Sequence, residues 1–333
     1  MSTETSFYHV RTPNTMALNM STTLDNDVLG DDCRVFSGET WKCETAVSVK
    51  RIACSLSITG CLFTIFIIVV FKKYKETSQR MIANLSAAAL MVAISALLED
   101  IVYAVDTLCK LQGALLTMLW WNCCLWSMAI ALNLYFKLVF HVDISKYEKS
   151  LTAFCWAFPL LPTGAACIGD VWAPAGVWCW MKNDWRWRFG DWGIYRITSI
   201  LIFIFIMIHM TIVMYRMRGR RLSFTNIQNS IKEDIRTLRI YPIIYVLVNT
   251  PPIVTRIQNA IIGIEQEGHV FPLLLIHAIC DPSFGAVIAL VYVLDRRTRQ
   301  MLTLTHCREA VQKMSLSSSV IKEYSLSETV SNV

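Results

Sequence analysis

The chain has 333 residues, 54% of them hydrophobic and 17% charged, with a mean hydropathy of +0.44. That is too apolar for an ordinary soluble domain. The net charge of +6 does not point to nucleic acid as a partner, because the basic residues fall in short runs between apolar segments, the pattern of membrane topology.

The chain opens with MSTETSFYHVRTPNTMALNM, which lacks the basic head and apolar run of a cleavable signal peptide. The first spanning helix is therefore expected to act as its own insertion signal. Residues 1–48 are expected to form an extracellular tail, rich in acids such as Asp25, Asp27, Asp31 and Asp32. Asn19-Met20-Ser21 within it is a glycosylation sequon. The similar Asn84-Leu85-Ser86 lies inside a predicted span, so only Asn19 is expected to be modified.

A spanning helix needs roughly 20 mostly apolar residues. Such stretches occur at 49–71, 81–105, 113–140, 151–169, 194–217, 240–264 and 270–294. They predict an all-α membrane protein, a seven-transmembrane-helix bundle over 49–294 that sits multi-pass in the plasma membrane. The fourth stretch holds Pro159, Pro162 and Gly164, which a spanning helix is expected to tolerate because neighbouring helices satisfy freed carbonyls. Basic residues follow the first span (Lys72, Lys73, Lys75, Arg80), the fifth (Arg216, Arg218, Arg220, Arg221) and the seventh (Arg296, Arg297, Arg299). Retention of Lys and Arg on the cytoplasmic side then puts the N-terminus outside and the C-terminus inside.

With that topology Cys33 and Cys43 lie in the outer tail, and Cys109 and Cys179 in outer loops, all in an oxidising compartment. Two disulfides are expected, Cys33 to Cys43 and Cys109 to Cys179, the second pinning the loop GVWCWMKNDWRWRF over the bundle. The other eight cysteines read as small apolar packing residues. Residues 295–314 are expected to form an amphipathic juxtamembrane helix, with Met301, Leu304 and Val311 near one face. Cys307 there is a palmitoylation candidate or an unmodified cysteine. The hydroxyl-rich stretch 315–333 is expected to be a disordered cytoplasmic tail, open to phosphorylation or to capture of its last residues by a PDZ domain.

Ionisable and polar residues inside spans are costly to insert and are functional candidates by default. Glu99 and Asp100 close the second predicted span, Tyr195 and Arg196 open the fifth, and Arg256, Gln258 and Asn259 end the sixth. Asn122, His277 and Asp281 lie deeper. Together they are expected to line a ligand-binding cavity open to the outside, the alternative being interhelical hydrogen bonds or headgroup contacts. Pro251 and Pro252 in the sixth span and Pro282 in the seventh remove backbone donors, which makes them switch-kink candidates. Arg218, Arg220, Arg236 and Arg239 would flank a cytoplasmic cleft, although they equally mark topology. No His-Glu-x-x-His, phosphate-cradling glycine loop or Gly-x-Ser-x-Gly occurs, so neither an enzyme nor a cofactor or metal site is expected. The seventh span also lacks the lysine that a retinal Schiff base would need.

Four stretches carry a family likeness: CKLQGALLTMLWWNCCLWSMAIALNLY at 109–135, GVWCWM at 176–181, IYPIIYVLVNTPPIVTRIQN at 240–259 and HAICDPSFGAVIALVYVL at 277–294. In order and spacing they resemble the cyclic-AMP-receptor-like G-protein-coupled receptors of slime moulds and fungi, with their animal orphan-receptor relatives. The resemblance implies a seven-helix receptor, a Cys109–Cys179 disulfide and coupling to a heterotrimeric G protein, with an extracellular small molecule as ligand. Departures from the rhodopsin-like receptors agree with it: Ala87, Ala88 and Ala89 stand near where those receptors carry a sodium-binding aspartate. Leu134-Tyr135-Phe136-Lys137 stands in place of their Asp-Arg-Tyr. A cyclic phosphate would require a cation such as Arg196 or Arg256; the ligand is otherwise open. The rival reading is a small polytopic transporter or channel whose polar path would use Glu99, Asp100, His277 and Asp281. A third is a scaffold that recruits partners by its tail.

Overall fold

The computed structural model describes residues 40–98, 106–140, 142, 144–174, 179–182, 184–219, 238–262 and 271–302. Among these, seven segments are long and apolar enough to cross a membrane: Glu44–Val70, Thr77–Leu97, Asp106–Phe140, Ile144–Ile168, Tyr195–Arg216, Ile240–Gln258 and Phe271–Leu294. The chain is a multi-pass membrane protein built as a seven-helix bundle. Outward-facing Leu56, Phe63 and Phe66 on the first span, and Leu201, Phe205 and Ile208 on the fifth, are exposed. So much exposed apolar surface would drive aggregation in water, whereas acyl chains solvate it in a bilayer.

The helices are α1 (Thr40–Val70), α2 (Thr77–Leu97), α3 (Asp106–Tyr135), α4 (Glu148–Ala157), α5 (Leu160–Ile168), α6 (Ile194–Gly219), α7 (Ile240–Ile262), α8 (Phe271–Leu294) and the short α9 (Arg296–Met301). Between α5 and α6 a two-stranded antiparallel hairpin pairs β1 (Trp172–Pro174) with β2 (Cys179–Met181), with Ala173 opposite Trp180. Close packing of α1 on α8 depends on small residues. A Cβ added at Gly285 would collide with Ser57 Oγ and Cys61 Sγ, and one at Gly60 would come 2.8 Å from Ala289 Cβ. In lipid, where apolar burial gives helices little reason to associate, such close approach lets dispersion hold them together. At mid-bundle, rings tie four helices together: Trp120 of α3 to Phe284 of α8 at 5.9 Å, Phe284 to Tyr245 of α7 at 6.1 Å, and Tyr245 to Phe203 of α6 at 5.0 Å.

Four spans differ from expectation. The first was expected from 49, after an outer tail over 1–48, but α1 already begins at Thr40. The second span was expected over 81–105 but α2 runs Thr77–Leu97; Glu99 and Asp100 lie outside the described residues. The third span starts at Asp106 instead of 113, because polar first turns can extend past the hydrocarbon while their charges pair. Lys110 Nζ lies 3.3 Å from Asp106 Oδ2 and 2.9 Å from Asp170 Oδ1. In the fourth span the helical hydrogen bonding is interrupted between α4 and α5 at Pro159, which has no N–H; Phe158 and Pro159 keep helical dihedrals, with Phe158 N bonded to Phe154 O at 2.9 Å. Pro162 sits in the first turn of α5, where a missing N–H costs nothing.

Pro251 and Pro252 lie inside α7, and Pro282 inside α8. Polar side chains beside the α7 pair turn back on the preceding carbonyls: Asn249 Nδ2 donates to Tyr245 O at 2.7 Å and Thr250 Oγ1 to Val246 O at 2.7 Å. The juxtamembrane stretch begins as α9, capped by Asp295, whose Oδ2 accepts from Thr298 N at 3.3 Å. Residues from 303 on, including Cys307 and the tail, lie outside the described residues, as do Asn19 and Cys33.

The hairpin is fixed to α3 by the Cys109–Cys179 disulfide, with the two Cα atoms 5.3 Å apart. Gln112 adds a second tie: its Oε1 accepts from Cys179 N at 3.1 Å while its Nε2 donates to Ser95 O of α2 at 2.8 Å. A Cβ on Gly113 would meet Trp172 Cε3 at 2.8 Å, so the absence of a side chain there lets the indole lie against the α3 backbone.

Candidate functional site

Beneath the hairpin the helices enclose a cavity with about 600 Å³ of empty space, counting its open mouth. Its apolar wall is Val92 and Ala96 of α2 with Leu116 of α3; Trp120 of α3 and Trp180 of β2 supply aromatic faces. Its polar groups come from five helices: Lys50 of α1, Thr117 of α3, Arg196 of α6, Arg256 of α7, and His277 and Asp281 of α8.

Charges at this depth persist because they are engaged. Arg196, 1% exposed, has Nη1 3.7 Å from Asp281 Oδ1 and its guanidinium carbon 4.5 Å from the Trp120 ring centroid. The other carboxylate oxygen, Asp281 Oδ2, lies 3.7 Å from His277 Nε2, one helical turn away. Both separations are ion-pair distances longer than a hydrogen bond, and Asp281 Oδ1 has no hydrogen-bond partner among the described residues. Arg256 stands 4.0 Å from the Trp180 ring centroid. Arg188, just outside the spans, is the second cation on that ring at 5.5 Å. Its Nη2 and Nε donate to Met181 O at 2.9 and 3.3 Å. Burial pushes the Arg188 guanidinium down to about 10, so it remains charged at neutral pH.

Of the expected ligand-binding set, Arg196, Arg256, His277 and Asp281 meet at this cavity. Tyr195 instead stacks on Trp121, with centroids 3.8 Å apart. Asn122 is fully buried and donates from Nδ2 to Met118 O of its own helix at 3.1 Å. Asn259 falls in the last turns of α7, with its side chain outside the described set; Glu99 and Asp100 are likewise outside it. Lys50, Thr117, Trp120 and Trp180 were not anticipated. A lysine just inside the first predicted span was the available signal for Lys50.

At the end of the bundle opposite the hairpin, Arg239 is half-buried before α7 and Arg218 lies in the last turn of α6, its side chain not described. Arg220 and Arg236 are outside the described residues, as is one partner of the expected Cys33–Cys43 bond, and the Cys43 side chain is not described. Arg80 is more than a topology marker: it forms an ion pair with Glu148 at the start of α4, and its Nη1 donates to Tyr74 O at 2.6 Å and Lys75 O at 2.8 Å. Tyr292 of α8 donates to Gln79 Oε1 of α2 at 2.8 Å, and Lys73 Nζ to Thr298 Oγ1 of α9 at 3.0 Å. Asn84, the second sequon asparagine, is half-buried in α2 and accepts from Trp156 Nε1 at 3.0 Å. Among the described residues no group of three or more His, Cys, Asp or Glu is placed to hold a metal ion.

The family profile described as slime mold cyclic AMP receptor matches residues 39–299, the whole of the bundle. Cyclic AMP receptor-like protein A of Dictyostelium discoideum is 24% identical over 253 residues, covering 75% of this chain and 64% of that protein. The chain thus spans a little under two thirds of that relative's length.

Proposed function

Because this chain belongs to the slime mold cyclic AMP receptor family, we propose that it is a receptor whose cavity takes a small anionic ligand from outside the cell and passes the signal to a heterotrimeric G protein. The hairpin end then faces outward, and the connection bearing Lys72 and Lys73, with Arg80 at the start of α2, faces the cytoplasm, as the distribution of basic residues implies. The observation that carries the ligand reading is the convergence of Lys50, Arg196 and Arg256 on one pocket walled by the Trp120 indole. Guanidinium groups bind phosphate or carboxylate oxygens through paired, charge-assisted hydrogen bonds, and an indole suits a flat ring. A cyclic nucleotide combines both features.

The ligand acts through whatever affinity difference it has for two arrangements of α6, α7 and α8. Arg218, Arg220, Arg236 and Arg239 are the proposed contacts for the G protein, and Pro251, Pro252 and Pro282 the points about which the helices flex. The test is nucleotide exchange on a panel of purified G proteins, with the chain in nanodiscs, with and without cyclic AMP, and Arg239→Glu as control. Exchange above empty nanodiscs that Arg239→Glu reduces supports the receptor reading, and its dependence on cyclic AMP supports the ligand. No exchange from folded protein, together with ion or solute flux in liposomes, would replace it with a transporter or channel.

A further inference from the structure

Trp180 has two guanidinium groups near its ring, Arg256 at 4.0 Å and Arg188 at 5.5 Å from the ring centroid. The two differ in what carries them. Arg188 belongs to the same loop as Trp180 and is fastened to it through the Met181 carbonyl; that loop is in turn bonded to α3 by Cys109–Cys179. Arg256 comes from α7, one turn beyond Pro252, and lines the cavity with Lys50 and Arg196. The Arg256–Trp180 contact therefore joins α7 to a hairpin that is itself fixed to α3.

An indole face is a modest partner for a guanidinium, and anionic oxygens are stronger ones. We infer that Trp180 and the bound anion compete for Arg256, so that ligand entry draws the guanidinium off the indole and releases the outer end of α7 from the hairpin. The inference rests on the anionic-ligand reading above and adds its regulation: the hairpin holds α7 in the unliganded arrangement. Linkage fixes the sign. A contact made in the unliganded state and broken on binding opposes binding, so its removal must tighten the ligand.

The experiment measures equilibrium binding of cyclic AMP, with inorganic phosphate as a second probe, to the full chain in nanodiscs as wild type, Trp180→Leu and Trp180→Phe. The expected result is that Trp180→Leu binds cyclic AMP about two- to thirtyfold more tightly, the range of one cation–π contact, with Trp180→Phe between. Thiol labelling first establishes that Cys109–Cys179 has formed in each variant. As a second readout, cyclic AMP should change the tryptophan emission of wild type by a component that Trp180→Phe lacks. Equal or weaker binding by disulfide-bonded Trp180→Leu overturns the inference. If Trp180→Leu does not fold, identical emission changes in wild type and Trp180→Phe overturn it. Saturable binding that ignores Trp180 sinks this inference alone, while no saturable binding of either anion to any form sinks the anionic-ligand reading as well.

Discussion

Arg196 Nη1 and Asp281 Oδ1 stand 3.7 Å apart, joining α6 to α8 across the cavity, with the arginine 1% exposed and the aspartate side chain 22% exposed. Removing one partner of a buried pair leaves the other charge desolvated and uncompensated. Asp281→Asn or Arg196→Gln alone should cost about 3 kcal/mol or more in stability. The double variant should lose less than the two losses added together. Thermal unfolding of the purified chain in detergent reads all three, and strict additivity would show that the two charges do not interact.

Gly285 and Gly164 should respond oppositely to a side chain. At Gly285 the new atom would meet Ser57 and Cys61 of α1, whereas nothing stands within 4 Å of a Cβ at Gly164. Gly285→Val is expected to destabilise the bundle by about 1–3 kcal/mol through overpacking. Gly164→Ala, in the interior of α5, should stabilise by up to about 1 kcal/mol through helix propensity. Yield of folded protein and midpoint of unfolding check both; a neutral Gly285→Val would mean that α1 and α8 sit farther apart than described.

Asp170 gives the hairpin a pH dependence. Its carboxylate lies 2.9 Å from Lys110 Nζ and 3.5 Å from Lys182 Nζ, and hydrogen bonding to Lys110 holds its pKa below the usual carboxylate range. A depressed carboxylate adds stability above its unfolded value, about 3.9, and that stability is lost as pH falls through the lower folded value. Amide exchange in β2, slow at pH 6, should accelerate below about pH 4 beyond the intrinsic trend. Asp170→Asn should exchange faster at pH 6 and lose the extra acid response. Identical profiles for the two forms would remove Asp170 from the clamp.

The bundle was legible because burial in lipid makes long apolar runs unambiguous, and the seven expected spans correspond one to one with those in the structure. The family was legible too, from motifs such as Trp-Cys-Trp at 178–180. Helical phase was not. Tyr195 and Arg196 are neighbours in sequence, yet successive helical residues point about 100° apart, so Arg196 meets the cavity while Tyr195 stacks on Trp121. Lys50 was missed because a lysine at the edge of an apolar run also reads as a headgroup contact. The hairpin was missed because three-residue strands carry almost no periodicity, and their pairing depends on each other. Pro159 was read as tolerated, and the backbone stays helical through Phe158 and Pro159, so that 144–168 remains one span.

Among the described contacts, α2 has polar bonds to three neighbouring elements: Ser78 Oγ accepts from Asn133 of α3 at 3.3 Å, Asn84 from Trp156 of α4, and Gln79 from Tyr292 of α8. Its Arg80 adds the ion pair to Glu148. In mechanical language α2 is the stator of this machine. A distance probe fixed on α2 and paired with one on α7 would therefore report the travel of α7 itself instead of the relative drift of two mobile parts.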